Sequence, residues 1–189
     1  MVGRNIYDNI LLVQEVIHSI QKRKEAVMAI KLDLSKYFDR IRHAFIFHVM
    51  EIYGFPPNFI RWIKACISSP WIDQLDNDRP TTFFQAQRGI FQGCLMSPFL
   101  YILVEYSLSR RLNILKSEGN VSGISFFIGV QPINHAQFLY DTIILGSAST
   151  QIARRIKITL DIFLKVSRSR INPSKSWLYG WNSNPRTLR

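Results

Sequence analysis

Residues 26–41 read AVMAIKLDLSKYFDRI, and their first half decides the fold. AVMAIKLD is a near-continuous apolar run of strand length, which predicts a buried strand ending in the carboxylate of Asp33. A second apolar extended stretch, HAQFLYDTIIL at 135–145, carries Asp141. A carboxylate at the tip of a buried strand is expensive to desolvate unless it is paired or bound to a cation. Two such groups from different strands could hold Mg²⁺, which takes oxygen ligands from one or two carboxylates plus phosphate. That is the arrangement two-metal phosphoryl transfer needs. On residue types alone, aspartates at strand ends serve equally as turn-formers or caps.

Working outward, Ile6, Ile10, Val13, Ile17 and Ile20 recur at helical spacing. Phe45, Ile46, Val49, Met50, Ile52 and Tyr53 fall on one face of a second helix, with Gly54 as its stop and Pro56 and Pro57 preventing continuation. Residues 58–69 predict a short helix with Phe59, Ile60, Ile63 and Ile67 inward, and Asn77-Asp78 a turn between two short extended runs. Ser97 is read as an N-cap, with Pro98 opening a long helix to about Ser117. Residues 124–130 and 135–144 read as extended, a helix runs from about Ser149 to Val166, and a short final strand closes the chain. Strands and helices interleave without a regular βαβ beat, which predicts an α+β fold.

The chain has 189 residues, with 24 Lys+Arg against 13 Asp+Glu and a formal net charge of +11. The excess is concentrated: residues 151–189 hold nine basic side chains and one acid, Asp161. Such a face attracts polyanions and predicts salt-sensitive nucleic-acid binding through Arg154, Arg155 and Lys157, with Trp177, Tyr179 and Trp181 as stacking rings. The plain alternative is a solvated basic surface with the rings packed inward. Two cysteines, Cys66 and Cys94, exclude a disulfide-stapled scaffold. No apolar core follows a basic end in the opening MVGRNIYDN, and Gly or Pro breaks each long uncharged stretch, so no secretion signal or membrane span is expected. An intracellular protein is expected.

LDLSKYFDRI at 32–41, RGIFQGCLMSP at 88–98, HAQFLYDTIIL at 135–145 and INPSKS at 171–176 stand in the order and spacing of a reverse transcriptase palm. With GRNIYDNILLVQEVIHSI at 3–20, the chain resembles the reverse transcriptase of LINE-type non-LTR retrotransposons. The resemblance implies a palm, an antiparallel sheet backed by helices, with incomplete fingers and no thumb. It implies one partial domain: 1–25 a pre-palm fingers helix, 26–148 the palm motifs, 149–189 a basic helix and terminal palm segment. It implies an RNA template, a DNA primer, dNTPs, two Mg²⁺ ions and a nuclear location. Asp33 matches the first metal-binding aspartate and Asp141 the second of a paired-aspartate turn; Leu34, Tyr37, Phe38 and Gln92 match the nucleotide pocket. Phe38 would lie beneath the incoming sugar. Arg88, Gly89, Gln92 and Gly93 match the template loop, and Lys175 the proton donor to pyrophosphate.

The pattern is broken in several places. Tyr140 stands where the family has a primary metal-binding aspartate, and a phenol with a reference pKa of ~10 is a poor Mg²⁺ ligand. Tyr37 replaces a small residue and should crowd the sugar; Cys94-Leu95-Met96 replaces an aspartate-proline-leucine run, Phe91 a basic residue, and Arg168 a turn glycine. The expected function is a reverse transcriptase domain that no longer catalyses RNA-directed DNA synthesis. Two alternatives stand beside it: a non-catalytic nucleic-acid-binding module, including a splicing cofactor on the same palm, and an unselected retroelement remnant.

Overall fold

The apolar run at the start of that stretch forms strand β1, Val27–Asp33, in the computed structural model. The structure describes His18, Ile20 and residues 26–69, 71–73, 75–76, 79–80, 82–125, 131–138 and 141–183. The helix expected over 3–20 therefore lies outside the described residues except at His18 and Ile20, both helical. The turn expected at Asn77-Asp78, the strand residues 126–130 and Tyr140 also lie outside them. The chain forms two compact units, each made of separated segments.

The first unit comprises Met1–Ser35, Leu108–Ile162 and Ile171–Arg189. Its sheet has the order β6-β7-β1-β8, where β6 is His135–Phe138, β7 Asp141–Ser147 and β8 Trp177–Trp181. Every pairing is antiparallel. Central β1 carries buried residues on both faces, Val27 and Ala29 on one and Met28 and Leu32 on the other, as its apolar run requires. Val27 and Ala29 pack with Ile20, Ile124 and Leu145, and Trp181 covers that cluster. The expected single extended run over 135–144 is a hairpin instead: Phe138 pairs with Asp141, so the chain reverses between them. Periodicity missed the reversal because apolar residues continue on both sides of it.

His135 shows how closely the unit is satisfied. The Asn134 amide donates to the Leu112 carbonyl at 2.7 Å, which leaves its oxygen to accept from His135 Nδ1 at 2.9 Å. His135 Nε2 then accepts the Ser109 hydroxyl at 2.7 Å. Burial, helped by the nearby Lys116 ammonium, pulls the imidazole down to about 4 and keeps it neutral.

The second unit comprises Lys36–Ser107 and Phe163–Arg170. It holds the short helix α1, Tyr37–Arg40, then α2, His43–Ile52, and α3, Pro57–Ser68. Gly54 ends α2 as expected: at φ 74 it lets its own N–H reach the Glu51 carbonyl and that of Phe55 reach Met50, satisfying two terminal carbonyls. Two expected core positions are corrected. Ile52 is 61% exposed at the helix end, and Phe59 is 39% exposed, stacked on Phe55 rather than inward. Strands β2 (Trp71–Ile72) and β5 (Phe84–Gln85) pair around β3 (Leu75–Asp76) and β4 (Arg79–Pro80).

The long helix α4, Ser97–Ser117, and helix α5, Thr150–Ser167, match their expected spans. The Ser97 hydroxyl at the start of α4 donates to the Phe91 carbonyl at 2.6 Å, tying down the preceding loop. No helix among the described residues is long and apolar enough to cross a membrane.

Arg168, the residue in place of a turn glycine, adopts φ 63 after α5. A side chain in this left-handed region costs roughly 1 kcal/mol or more that glycine avoids. Arg168→Gly is therefore expected to raise the melting temperature by about 2–4 °C per kcal/mol recovered, read by circular dichroism.

Candidate active site

At the end of the first unit's sheet, Asp33 of β1 and Asp141 of β7 are register partners, directly opposite one another. Like charges in that position repel. The sheet supplies a counter-cation: Lys31, two residues before Asp33 and on the same face, places Nζ 3.1 Å from Asp141 Oδ2. Residue 31 lies diagonally across from 141, a spacing a long side chain can bridge. The pair is about a third exposed, so its contribution to stability is small, on the order of 1 kcal/mol or less. Its consequence is local: one of the two carboxylates already has a cation.

The INPSKS segment is strapped to the same strand end. The Asn172 N–H donates to the Asp33 carbonyl at 2.8 Å, and the Ser176 hydroxyl accepts the Asp33 N–H at 3.0 Å. Within the segment, Asn172 Oδ1 accepts from the Ser174 N–H and hydroxyl, shaping the turn that carries exposed Lys175. Leu34 is buried and bridges to Ile171, so its side chain offers no ligand surface. Thus Asp33, Asp141 and Lys175 belong to one unit, assembled from three distant stretches of chain.

Tyr37, Phe38, Arg88, Gly89, Gln92 and Gly93 belong to the second unit, and Arg154, Arg155 and Lys157 to the first. Phe38 is half-buried and stacks on Tyr101 with ring centroids 5.0 Å apart and planes 2° from parallel. Tyr37 departs from its expected position at a sugar. It is 2% exposed, edge-on to Tyr101 at 5.3 Å, with its hydroxyl beside the buried Glu105. Burial first, then the Glu105 carboxylate, pushes the phenol well above its ordinary value. Burial likewise pushes Glu105 up to about 7, against a smaller opposing effect of the neighbouring Tyr37 hydroxyl.

The template-loop residues are pinned by backbone. The Gly89 N–H donates to the Ile41 carbonyl and the Ile90 N–H to Phe38, both at 2.8 Å. Gly89 sits at φ 86, and a Cβ there would lie 3.1 Å from the Asp39 carbonyl oxygen, so glycine is required. His43 Nε2 donates to the Gly89 carbonyl at 2.6 Å while Nδ1 accepts the Ser68 hydroxyl. Arg88, Gln92 and Gly93 are on or near the surface, with open space around Gly93. On helix α5, Arg154 and Lys157 are exposed, whereas Arg155 donates to the Asn120 side chain. Trp177 and Tyr179 are exposed and Trp181 packs on the core, so the strand divides between the two expected roles of its rings.

Sequence reasoning missed Lys31, Ser176 and Glu105. A lysine two residues before the aspartate, in an otherwise apolar strand, was a readable signal; the other two needed the tertiary contacts.

The first unit thus presents two opposed aspartates at the tips of the central strands of an antiparallel sheet. The family model for reverse transcriptase (RNA-dependent DNA polymerase) matches residues 2–187, and the chain belongs to that family. It is 25% identical over 174 residues to the transposon TX1 uncharacterized 149 kDa protein of Xenopus laevis, covering 92% of this chain and 13% of that protein. It is 27% identical over 179 residues to the retrovirus-related Pol polyprotein from type-2 retrotransposable element R2DM of Drosophila melanogaster, covering 95% of this chain and 16% of that one. The expected kinship with non-LTR retrotransposon reverse transcriptases is borne out. Among solved structures, apo telomerase of Candida tropicalis truncated from its C-terminal domain superposes with a TM-score of 0.65 at 14% identity, over 97% of this chain and 36% of that one. Telomerase of Candida albicans in complex with a telomeric RNA fragment gives 0.66 at 10% identity, over 97% and 31%. These likenesses show the α+β palm fold.

Proposed function

We propose that this chain is a reverse transcriptase palm whose metal centre no longer supports nucleotidyl transfer. The observation that carries the reading is the 3.1 Å ion pair between Lys31 and Asp141. An ammonium at that carboxylate competes with any divalent ion for it. Tyr140 supports the same reading, because a neutral phenol stands where the family resemblance places a carboxylate. Among the described residues, no three His, Cys, Asp or Glu side chains gather into a metal-holding group. Of the two carboxylates that could hold Mg²⁺, one is already paired with an ammonium, which weakens the donor set. RNA template, DNA primer and dNTP are the ligands of the ancestral site, and a nuclear location follows from the same ancestry.

Primer extension on an RNA template, with Mg²⁺ or Mn²⁺, tests this. Incorporation is expected to equal that of an Asp33→Ala control. A tenfold rate difference corresponds to 1.36 kcal/mol of barrier, so losing a transition-state ligand worth several kcal/mol should slow the reaction by about a hundredfold or more. Templated dNTP incorporation above the control would overturn the proposal.

Exposed Arg154 and Lys157 on α5 favour a second reading, a palm that retains nucleic-acid binding without catalysis. Salt-dependent RNA binding that survives Asp33→Ala and weakens in Arg154→Gln/Lys157→Gln would distinguish it from an unselected remnant.

A further inference from the structure

A cavity of about 770 Å³ lies wholly within the second unit, and neither aspartate nor Gln92 is among the residues that line it. Arg40, Arg42, Arg88, Lys165, Arg168 and Arg170 line it, against one carboxylate, Asp39. Backbone bonds hold its walls together. The Arg42 N–H donates to the Ser167 carbonyl at 3.0 Å, Arg42 bridges to Arg88, and the His43 N–H donates to Gln87. Three separate stretches of chain are thereby fixed so that their cations converge.

Two details mark the cavity as built for an anion. Arg40 Nε is buried without a hydrogen-bond partner, a donor left unsatisfied on the cavity wall. Arg168, at its left-handed turn position, adds a further cation to the lining. Clustered guanidinium groups repel one another, and an anion relieves that repulsion. Their planar forks match phosphate oxygens two at a time. Phe84, 49% exposed on the same wall, offers a ring face on which a base can stack.

We propose that this cavity binds consecutive phosphates of a single-stranded nucleic acid, independently of the carboxylate site and of the basic face of α5. The shared chemistry, adjacent phosphates, could also come from a free polyphosphate, and the test separates the two. Fluorescence anisotropy of a short labelled RNA is measured over a range of salt for the full chain, for Arg42→Gln/Lys165→Gln/Arg168→Gly, and for Arg154→Gln/Lys157→Gln. Inorganic tripolyphosphate binding is measured in parallel by calorimetry.

The cavity variant is expected to lose about tenfold or more in RNA affinity at fixed salt. The slope of log affinity against log salt should fall by about 2, at roughly 0.7 per phosphate contact for a single strand. The α5 variant removes a separate set of contacts, so the cavity's share of the salt slope should persist in it and the losses of the two variants should add when they are combined. Unchanged RNA affinity and slope in a folded cavity variant would overturn the proposal. Loss of tripolyphosphate binding alone would overturn the nucleic-acid assignment in favour of a free polyphosphate. Should the triple variant not fold, Arg168→Gly alone, which removes a cation while relieving strain, must lower the slope by about 0.7; an unchanged slope there refutes the site.

Discussion

Replacing Lys31 with serine and Tyr140 with aspartate together is expected to raise Mn²⁺ affinity about a hundredfold, read by electron paramagnetic resonance titration. Each change acts on a different defect. Lys31→Ser removes the ammonium that sits 3.1 Å from Asp141 and leaves Asp33 and Asp141 opposed without a counter-cation. A divalent ion then becomes their means of relieving like-charge repulsion. Tyr140→Asp adds a hard oxygen ligand next to Asp141, where a neutral phenol offers little. About tenfold for each, or 1.4 kcal/mol, adds to the hundredfold expected of the pair. Asp33→Ala in the double variant should return the affinity to the original. An unchanged Mn²⁺ affinity in the double variant would refute the ion pair's proposed role in blocking the metal.

Tyr37→Ala is expected to destabilise the second unit by about 3–5 kcal/mol, the range for deleting a buried aromatic side chain. Tyr37 is 2% exposed and packs on Tyr101, and its removal also withdraws the hydroxyl beside Glu105. Glu105 adds a pH dependence whose sign is definite. Its folded value of about 7 lies above the ordinary 4.5, so the folded state binds the proton more tightly. That stabilisation is fully present below about 4.5 and is lost as pH rises through 7. Over the window it amounts to roughly 3 kcal/mol. Glu105→Gln, a neutral isostere, should remove this fall. His135 acts oppositely: held down to about 4, it contributes stability above its ordinary 6.5 that is lost as pH falls toward 4. Denaturant melts from pH 4 to 8 in the wild type and Glu105→Gln separate the two slopes. A Glu105→Gln profile parallel to the wild type above pH 5 would contradict the assignment to Glu105.

Legibility differed from one residue to the next. β1 was readable because burial on both faces writes itself as an uninterrupted apolar run. Gly54 was readable because ending a helix in a left-handed residue is a local requirement. The hairpin between Phe138 and Asp141 was hidden from periodicity, since both strands are apolar and no Gly or Pro marks the reversal; only the family resemblance implied a turn there. The bond of Ser97 to the Phe91 carbonyl was not readable, since it joins the hydroxyl to a loop carbonyl whose place only the folded chain sets. The ring of Tyr37 was placed at a sugar by the family pattern, and the structure turns it into the core.

The sequence by itself determined the family, the α+β class, the two surviving aspartates and the tyrosine beside the second. Those are matters of residue identity and order along one chain. The tertiary structure alone decided that Asp33 and Asp141 face each other, that Lys31 reaches across to Asp141, and that six basic side chains converge on one cavity. Charges act through space, and only the register of β1 against β7, and the backbone bonds joining residues 42, 88 and 167, set the distances over which they act.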